Sequence, residues 1–341
     1  MNAILILDRP NISTDFYPLL DKDKPLSLLD TSLSGNLLSQ MYSLMNSYFS
    51  RDKIYVVCAK DELNIVKQSL PDMPESNIWF EPFRISYEFS LLFANVMLDS
   101  FVSDSVAFCF PVNQHAVTNF MLKNWMLSVK DLAAKDMIVM PTVFMDKNVN
   151  AAEYIDGGRP LTNIGGLDFV QVNRIISQNT ETQREHHGWF SKKKVYGKQG
   201  YLLNILCGNA DNILSLYRSR EAANAVSSLR RLLSKEDFSW AMLEDFYNNN
   251  KECTEFDIYT DCSNLVTVFL ETALSDISSW TKFISRFATD ESGNVMFGKI
   301  KYADCHNVVC FNYDKDEEIN IARLNNLIIV KKYGNITIRN I

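Results

Sequence analysis

Five short runs rich in β-branched and aromatic residues, each spaced from the next by an amphipathic stretch, set the tightest limit on how this chain can fold. The runs are AILIL (3–7), KIYVVCA (53–59), NIWFEP (77–82), SVAFCF (105–110) and DMIVMP (136–141). Between them lie GNLLSQMYSLMNSYF (35–49), DELNIVKQSL (61–70), SLLFANVMLDSF (90–101) and VTNFMLKNWMLSVKDLAA (117–134). Short strands alternating with helical stretches of this length predict an α/β fold with a mostly parallel, doubly wound sheet. Such sheets take their ligands beyond the carboxyl ends of the strands. That places the loops near Asp8, Glu81, Pro111 and Pro141 on one rim.

Beyond residue 150 the pattern changes. A polar, basic stretch, QNTETQREHHGWFSKKKVYGKQG (178–200), precedes a helical region from Asn209 to Phe246. NLVTVFLE (264–271) reads as a returning strand and SSWTKFISRF (278–287) as a short helix. From Asn294 onward the pattern is strand-rich, and Tyr333-Gly334-Asn335 reads as a hairpin turn between alternating runs. No internal repeat is visible. The expected division is an α/β domain over 1–290 and a strand-rich extension over 291–341.

Composition removes several function classes. A net charge of −7 argues against a nucleic-acid binder held by phosphate contacts. No apolar run approaches the roughly 18–20 residues that span a bilayer. The first residues lack a charged region followed by a long apolar one, so no secretory signal is expected and a cytoplasmic location follows. Seven cysteines, Cys58, Cys109, Cys207, Cys253, Cys262, Cys305 and Cys310, show no C-x-x-C spacing. Reduced, buried thiols are expected.

Several segments, in order, resemble the bacterial mannose-1-phosphate guanylyltransferases, sugar-nucleotide pyrophosphorylases of the GT-A-like nucleotidyltransferase fold. FYPLLDKDKPLSLLD (16–30) is similar to the stretch after that family's GGxGTR loop. The segment 54–84 resembles its second strand-helix-strand unit, which ends in an EPxxR motif. FPVNQHAV (110–117) sits where the family has a Pro-x-Asp-His turn. LSDISSW (274–280) is similar to WSDVGSW, and DESGNVMFG (290–298) to the D-x-x-GN-V-x-x-G that follows it.

The resemblance implies a reaction in which a sugar 1-phosphate oxygen attacks the α-phosphorus of GTP and expels pyrophosphate. Both reactants are anions, so positioning and charge compensation dominate. The family uses a glycine loop, basic side chains and carboxylates holding Mg²⁺. Here residues 1–34 contain no glycine, and Asp8-Arg9-Pro10-Asn11-Ile12-Ser13 replaces the loop. Pro10 has no N–H to offer, and β-branched Ile12 resists positive φ. Asp8 adds a negative charge; at about 5 Å and an effective dielectric of about 20, each unit repulsion costs roughly 3 kcal/mol. Arg9 offsets part of it. Asp276 matches the acid of WSDVGSW and is the implied metal ligand. Asn113 and Gln114 precede His115 where the second metal aspartate belongs, and an amide is a weaker ligand for Mg²⁺.

Lys24 falls near the catalytic lysine, with Lys22 competing for that alignment. Arg84 matches the arginine of EPxxR with one residue deleted, and Glu81 its glutamate. Lys198 in GKQG takes the place of a substrate-contacting asparagine. The resemblance therefore nominates Lys24, Arg84 and Asp276 as catalytic residues, and Asp8, Arg9, Glu81, Asn113, His115 and Lys198 as ligand-binding ones.

Three readings follow. In the first, the loop, metal and sugar motifs have been lost together, and the chain is a non-catalytic binding or regulatory module needing no cofactor. A nucleotide or sugar phosphate, an active paralogue or a second copy are its candidate partners. In the second it is a diverged but active Mg²⁺-dependent transferase, with Lys192, Lys193, Lys194 and Lys198 supplying charge. In the third it is an assembly protein docking through His186, His187, Trp189 and Phe190.

Overall fold

Asn2–Ile6 (β1) is buried along its whole length, as a strand covered on both faces must be. The computed structural model describes residues 1–7, 16–17, 19–20, 25–32, 35–102, 106–112, 119–133, 136–144, 153–177, 199–253, 256, 258–259, 263–270, 283–284 and 287–341. These fall into two compact units: 1–7, 41–111 and 116–274 form the first, and 8–40, 112–115 and 275–341 the second.

After β1 come a short pair, β2 (Asp30–Ser32) and β3 (Gly35–Asn36), then β4 (Ile54–Ala59), β5 (Ile78–Glu81), β6 (Val106–Pro111) and β7 (Ile138–Phe144). The chain continues through β8 (Glu153–Ile164), β9 (Leu167–Ser177), β10 (Gln199–Leu202), β11 (Leu206–Asn209) and β12 (Leu265–Leu270). In the first unit the sheet order is β10-β8-β9-β12-β7-β11-β6-β1-β4-β5. The end β5-β4-β1-β6 is wholly parallel, and β12 runs parallel to β7. The expected α/β architecture, with its strand-rich C-terminal segment, is present.

Two features of this sheet go beyond the expectation. β11 is antiparallel to both β6 and β7, between which it is inserted. At the far end β10 pairs with β8 and also with β7, so β7, β10, β8, β9 and β12 close into a ring. Among the described residues β5 is therefore the open edge. It is only four residues long, and Trp240 packs on its Phe80 at 4.7 Å with Lys60 4.8 Å from the indole. Short strands and nearby lysines protect edges in this way.

The helices are α1 (Leu37–Asn46), α2 (Leu63–Ser69), α3 (Tyr87–Phe101), α4 (Asn119–Ala133), and three more at Ala210–Leu214, Arg220–Leu233 and Trp240–Asn250. Ile4, Ile6, Ala107 and Cys109 face a core shared with α3 and the last three helices. On the opposite face Phe108 and Phe110 meet Trp125 of α4 at 5.3 and 6.5 Å. Strand alternation thus feeds two cores. The helix Arg220–Leu233 shows the local logic. Ser219 caps it by accepting from Ala222 N–H, and Ala222, Ala225, Val226, Leu229 and Leu232 form its buried stripe.

The second unit holds β13 (Val295–Phe297), β14 (Ile300–Ala303), β15 (His306–Asn312), β16 (Ile319–Ala322), β17 (Asn325–Lys332) and β18 (Asn335–Asn340). Here the structure differs from the sequence reading, which saw no repeat. β14 pairs in parallel with β16, and β15 with β17, each at an offset of 19 residues, so two coils stack in register. Asp304 and Arg323, and Asn307 and Asn326, take positive φ at equivalent corners. Inside lie Cys305, Val308, Cys310, Ile319 and Ile329. The hairpin at Tyr333-Gly334 forms as expected, with φ of 53° and 76°. Asp314 fixes it by accepting from both backbone N–H groups at 2.9 Å.

The DESGN segment, nominated through its likeness to a family motif, is the latch of this stack. Asn294 is buried, donates to Asp290 Oδ2 (2.9 Å) and Cys305 O (2.8 Å), and accepts from Val308 N–H (2.9 Å). Asn294→Ala strands a buried carbonyl and a buried N–H. It is expected to cost about 2 kcal/mol in urea unfolding, with little loss in a surface control such as Asn335→Ala.

Candidate functional site

The carboxyl ends of β4 and β5 form the best-described part of the rim on which the sequence placed a ligand. Glu81 ends β5 in register with Ala59, the last residue of β4. Pro82 then interrupts the ladder because it has no N–H. Ser86 opens α3 by accepting from Phe89 N–H at 3.1 Å. The four-residue gap carries Arg84 back toward the short helical turn after β4, where Glu62 sits.

Arg84 and Glu62 form a bidentate pair, Nη1 to Oε1 at 3.1 Å and Nη2 to Oε2 at 2.7 Å, with side chains only 2% and 3% exposed. Glu62 Oε2 also accepts from Ala59 N–H at 2.8 Å. The fork geometry of guanidinium on carboxylate is the strong form of such a bond.

Glu81, fully buried, faces the other way. Oε1 accepts from Tyr247 Oη at 2.8 Å, and Oε2 lies 2.7 Å from Ser90 Oγ. Burial is the largest influence on its carboxyl and pushes the pKa up to about 7, against the opposing pull of Arg84 and the two hydroxyls. Burial likewise raises the Cys58 thiol and the Tyr247 phenol, so both stay protonated at neutral pH.

Of the residues nominated from the sequence, the structure therefore brings Glu81 and Arg84 together. Asp8, Arg9, Lys24, Asn113, His115, Lys198 and Asp276 lie outside the described residues, as do the alternative Lys22, the lysines at 192–194 and the aromatic loop at 186–190. Sequence reasoning missed Glu62, Ser90 and Tyr247, the groups that complete the cluster. Glu62 sits in a helical run of charged residues like any surface position, and Tyr247 is 166 residues from its partner.

Glu62 and Glu81 do not suit Mg²⁺. Their oxygens are already engaged by Ala59, Arg84, Ser90 and Tyr247, whereas that ion needs oxygen ligands free to form an octahedron. Among the described residues no group of three His, Cys, Asp or Glu side chains is placed to hold a metal. The described cysteines are free, and all but Cys253 are buried. No helix among the described residues is long and apolar enough to cross a membrane.

Among solved structures, the mannose-1-phosphate geranyltransferase of Thermus thermophilus matches 99% of this chain and 94% of its own, at TM-score 0.72 and 12% identity. The mannose-6-phosphate isomerase of Helicobacter pylori matches 81% of this chain and 100% of its own, at TM-score 0.53 and 14% identity. No protein-family model and no curated protein sequence matches. At these identities the likeness shows the fold. It is the nucleotidyltransferase fold that the order of motifs implied, and it extends over nearly the entire length.

Proposed function

We propose that this chain is a mannose-1-phosphate guanylyltransferase-like protein that no longer carries out nucleotidyl transfer and acts as a binding or regulatory module in sugar-nucleotide or surface-polysaccharide metabolism. One observation carries the reading. The arginine of the EPxxR-like motif, whose charge a polyphosphate would need, is bound on both terminal nitrogens by a buried carboxylate. Freeing it would leave Glu62 as an uncompensated buried charge, a cost of about 3–5 kcal/mol. The sequence adds the missing glycine loop and the amide at Asn113 in place of a metal carboxylate. An active transferase would have to compensate for all three losses at once.

Synthesis of a nucleotide sugar from mannose 1-phosphate and Mg²⁺-GTP tests the proposal. Purified chain is expected to give no more product than an Asp276→Ala variant. Turnover above that control would end the non-catalytic reading. Calorimetric titration with the four Mg²⁺-nucleoside triphosphates adds a second readout: binding without turnover fits a ligand-sensing module, and absence of heat with all four removes the diverged-transferase alternative.

A further inference from the structure

Two residues between β1 and α1, Phe16 and Asp30, are fastened to the coil within the second unit. Asp30, the first residue of β2, accepts twice: Tyr313 Oη donates to its carbonyl oxygen at 2.6 Å, and Lys332 Nζ to its Oδ2 at 2.5 Å. Tyr313 follows β15 and Lys332 ends β17, so the two donors stand on successive turns of the coil. The Lys332 ammonium lies 5.7 Å from the Tyr313 ring. Burial, reinforced by Asp30, holds the Tyr313 phenol above its ordinary pKa, so it remains a donor. The other fastening is apolar. Phe16 meets Phe283 edge-on at 6.0 Å, Phe283 meets Phe311 at 5.6 Å, and Phe311 stacks on Tyr313 at 6.2 Å. Across the β2–β3 pair Asp30 stands opposite Asn36, whose Oδ1 caps α1 by accepting from Ser39 N–H at 2.9 Å. β2 and β3 have three and two residues and an irregular register, and among the described residues no third strand joins them. A pair that short is not stable by itself in water. Its support comes from the coil.

We propose that the contact at Asp30 is a tether through which the C-terminal coil sets the conformation of the β2–β3 pair and, through Asn36, of the start of α1. The Asp30 and Lys332 side chains are 26% and 25% exposed, so water and salt reach the ion pair. A partly exposed ion pair is weak. Beside the phenol bond it is enough to hold a marginal strand pair, and it is weak enough to be released. The linkage is reciprocal. A ligand that draws the β2–β3 pair away from the coil must break the bonds of Tyr313 and Lys332, and a ligand that occupies those two donors must loosen β2 and β3. The tether depends on the non-catalytic, regulatory reading for its use, not for its existence.

Native-state hydrogen exchange of the full chain provides the test. The amides to follow are Leu29 and Leu37, which donate to Leu26 O and Leu29 O on either side of Asp30. Lys332→Met combined with Tyr313→Phe removes both donors and is expected to speed their exchange about tenfold or more, while β1, β4, β15 and β17 keep wild-type rates. Lys301→Met removes an exposed lysine elsewhere on the coil and is expected to leave Leu29 and Leu37 unchanged. Sodium chloride at about 1 M screens the ion pair. It should speed exchange at Leu29 and Leu37 in the wild type and add little in Lys332→Met. Unchanged exchange at these two amides in a double variant whose coil stays protected overturns the proposal. If the double variant loses protection in β15 and β17 as well, Lys332→Met alone decides: wild-type rates with wild-type salt sensitivity overturn it. Turnover in the mannose 1-phosphate assay would end the non-catalytic reading and leave these rates as they are, so the two failures are told apart.

Discussion

Arg84→Met is expected to lower the unfolding free energy by about 3–5 kcal/mol, a large share of the stability of a domain of this size. The methionine fills much of the space, so the loss is electrostatic. Glu62 keeps its bond from Ala59 N–H but has no cation, in a place where its side chain is 3% exposed. Glu62→Gln is expected to cost a similar amount by stranding the guanidinium. Combining the two should cost much less than their sum, because the second change removes the charge the first one stranded. Urea unfolding of the four proteins reads the coupling directly. Additive losses would show that the two side chains act independently, and Arg84 would again be available to a phosphate.

The parts of this fold legible in the sequence are those in which one strand is buried on both faces. β1, β4 and β6 are continuous apolar runs because helices cover them on each side, and their order with the intervening helices set the fold class. The β8–β9 hairpin was illegible for the opposite reason. Its distal half is exposed, and Gly157, Gly158, Pro160, Gly165 and Gly166 give it the composition of a loop. The coil repeat was hidden differently. Its two turns share a geometry more than residues: Ile300 and Ala303 recur as Ile319 and Ala322, but Asp304 answers Arg323, and Phe311 answers Val330. The Asn307–Asn326 pair, bonded at 2.7 Å, is the one identical corner, and a spacing of 19 with asparagine at a turn was the available signal.

The candidate site was legible only as far as its motif. EPxxR located Glu81 and Arg84, but the sequence could not tell a phosphate ligand from an internal salt bridge, because the deciding partner Glu62 looks like a surface residue. Burial made the decision, and burial is a tertiary property.

Stability of the wild-type chain is expected to decline as the pH rises from about 4.5 to about 7, and Glu81→Gln should abolish that component. Glu81 titrates near 7 when folded, against an ordinary value of 4.5. Within this window the folded state holds one proton more than the unfolded state, so unfolding becomes easier as pH rises. Below the window both states are protonated, and above it both are ionised, leaving a constant deficit. The displacement corresponds to about 3 kcal/mol. Local geometry favours the same direction. Ser90 Oγ has a single proton and two acceptors, Glu81 Oε2 at 2.7 Å and Ser86 O at 3.1 Å. A protonated Glu81 donates to Ser90, which then donates to Ser86, and both contacts are satisfied. Ionised Glu81 takes the serine proton for itself and still lacks a full counter-charge, because Arg84 is committed to Glu62. The difference between the wild-type and Glu81→Gln unfolding curves, taken from pH 4 to 8, isolates this group from the exposed carboxylates common to both. A difference curve flat across the window would mean that Glu81 is ionised at its ordinary pKa. Arg84→Met connects the two predictions. Losing the cation that opposes burial should carry the Glu81 transition to higher pH, whereas a guanidinium with no influence on it would leave the transition in place.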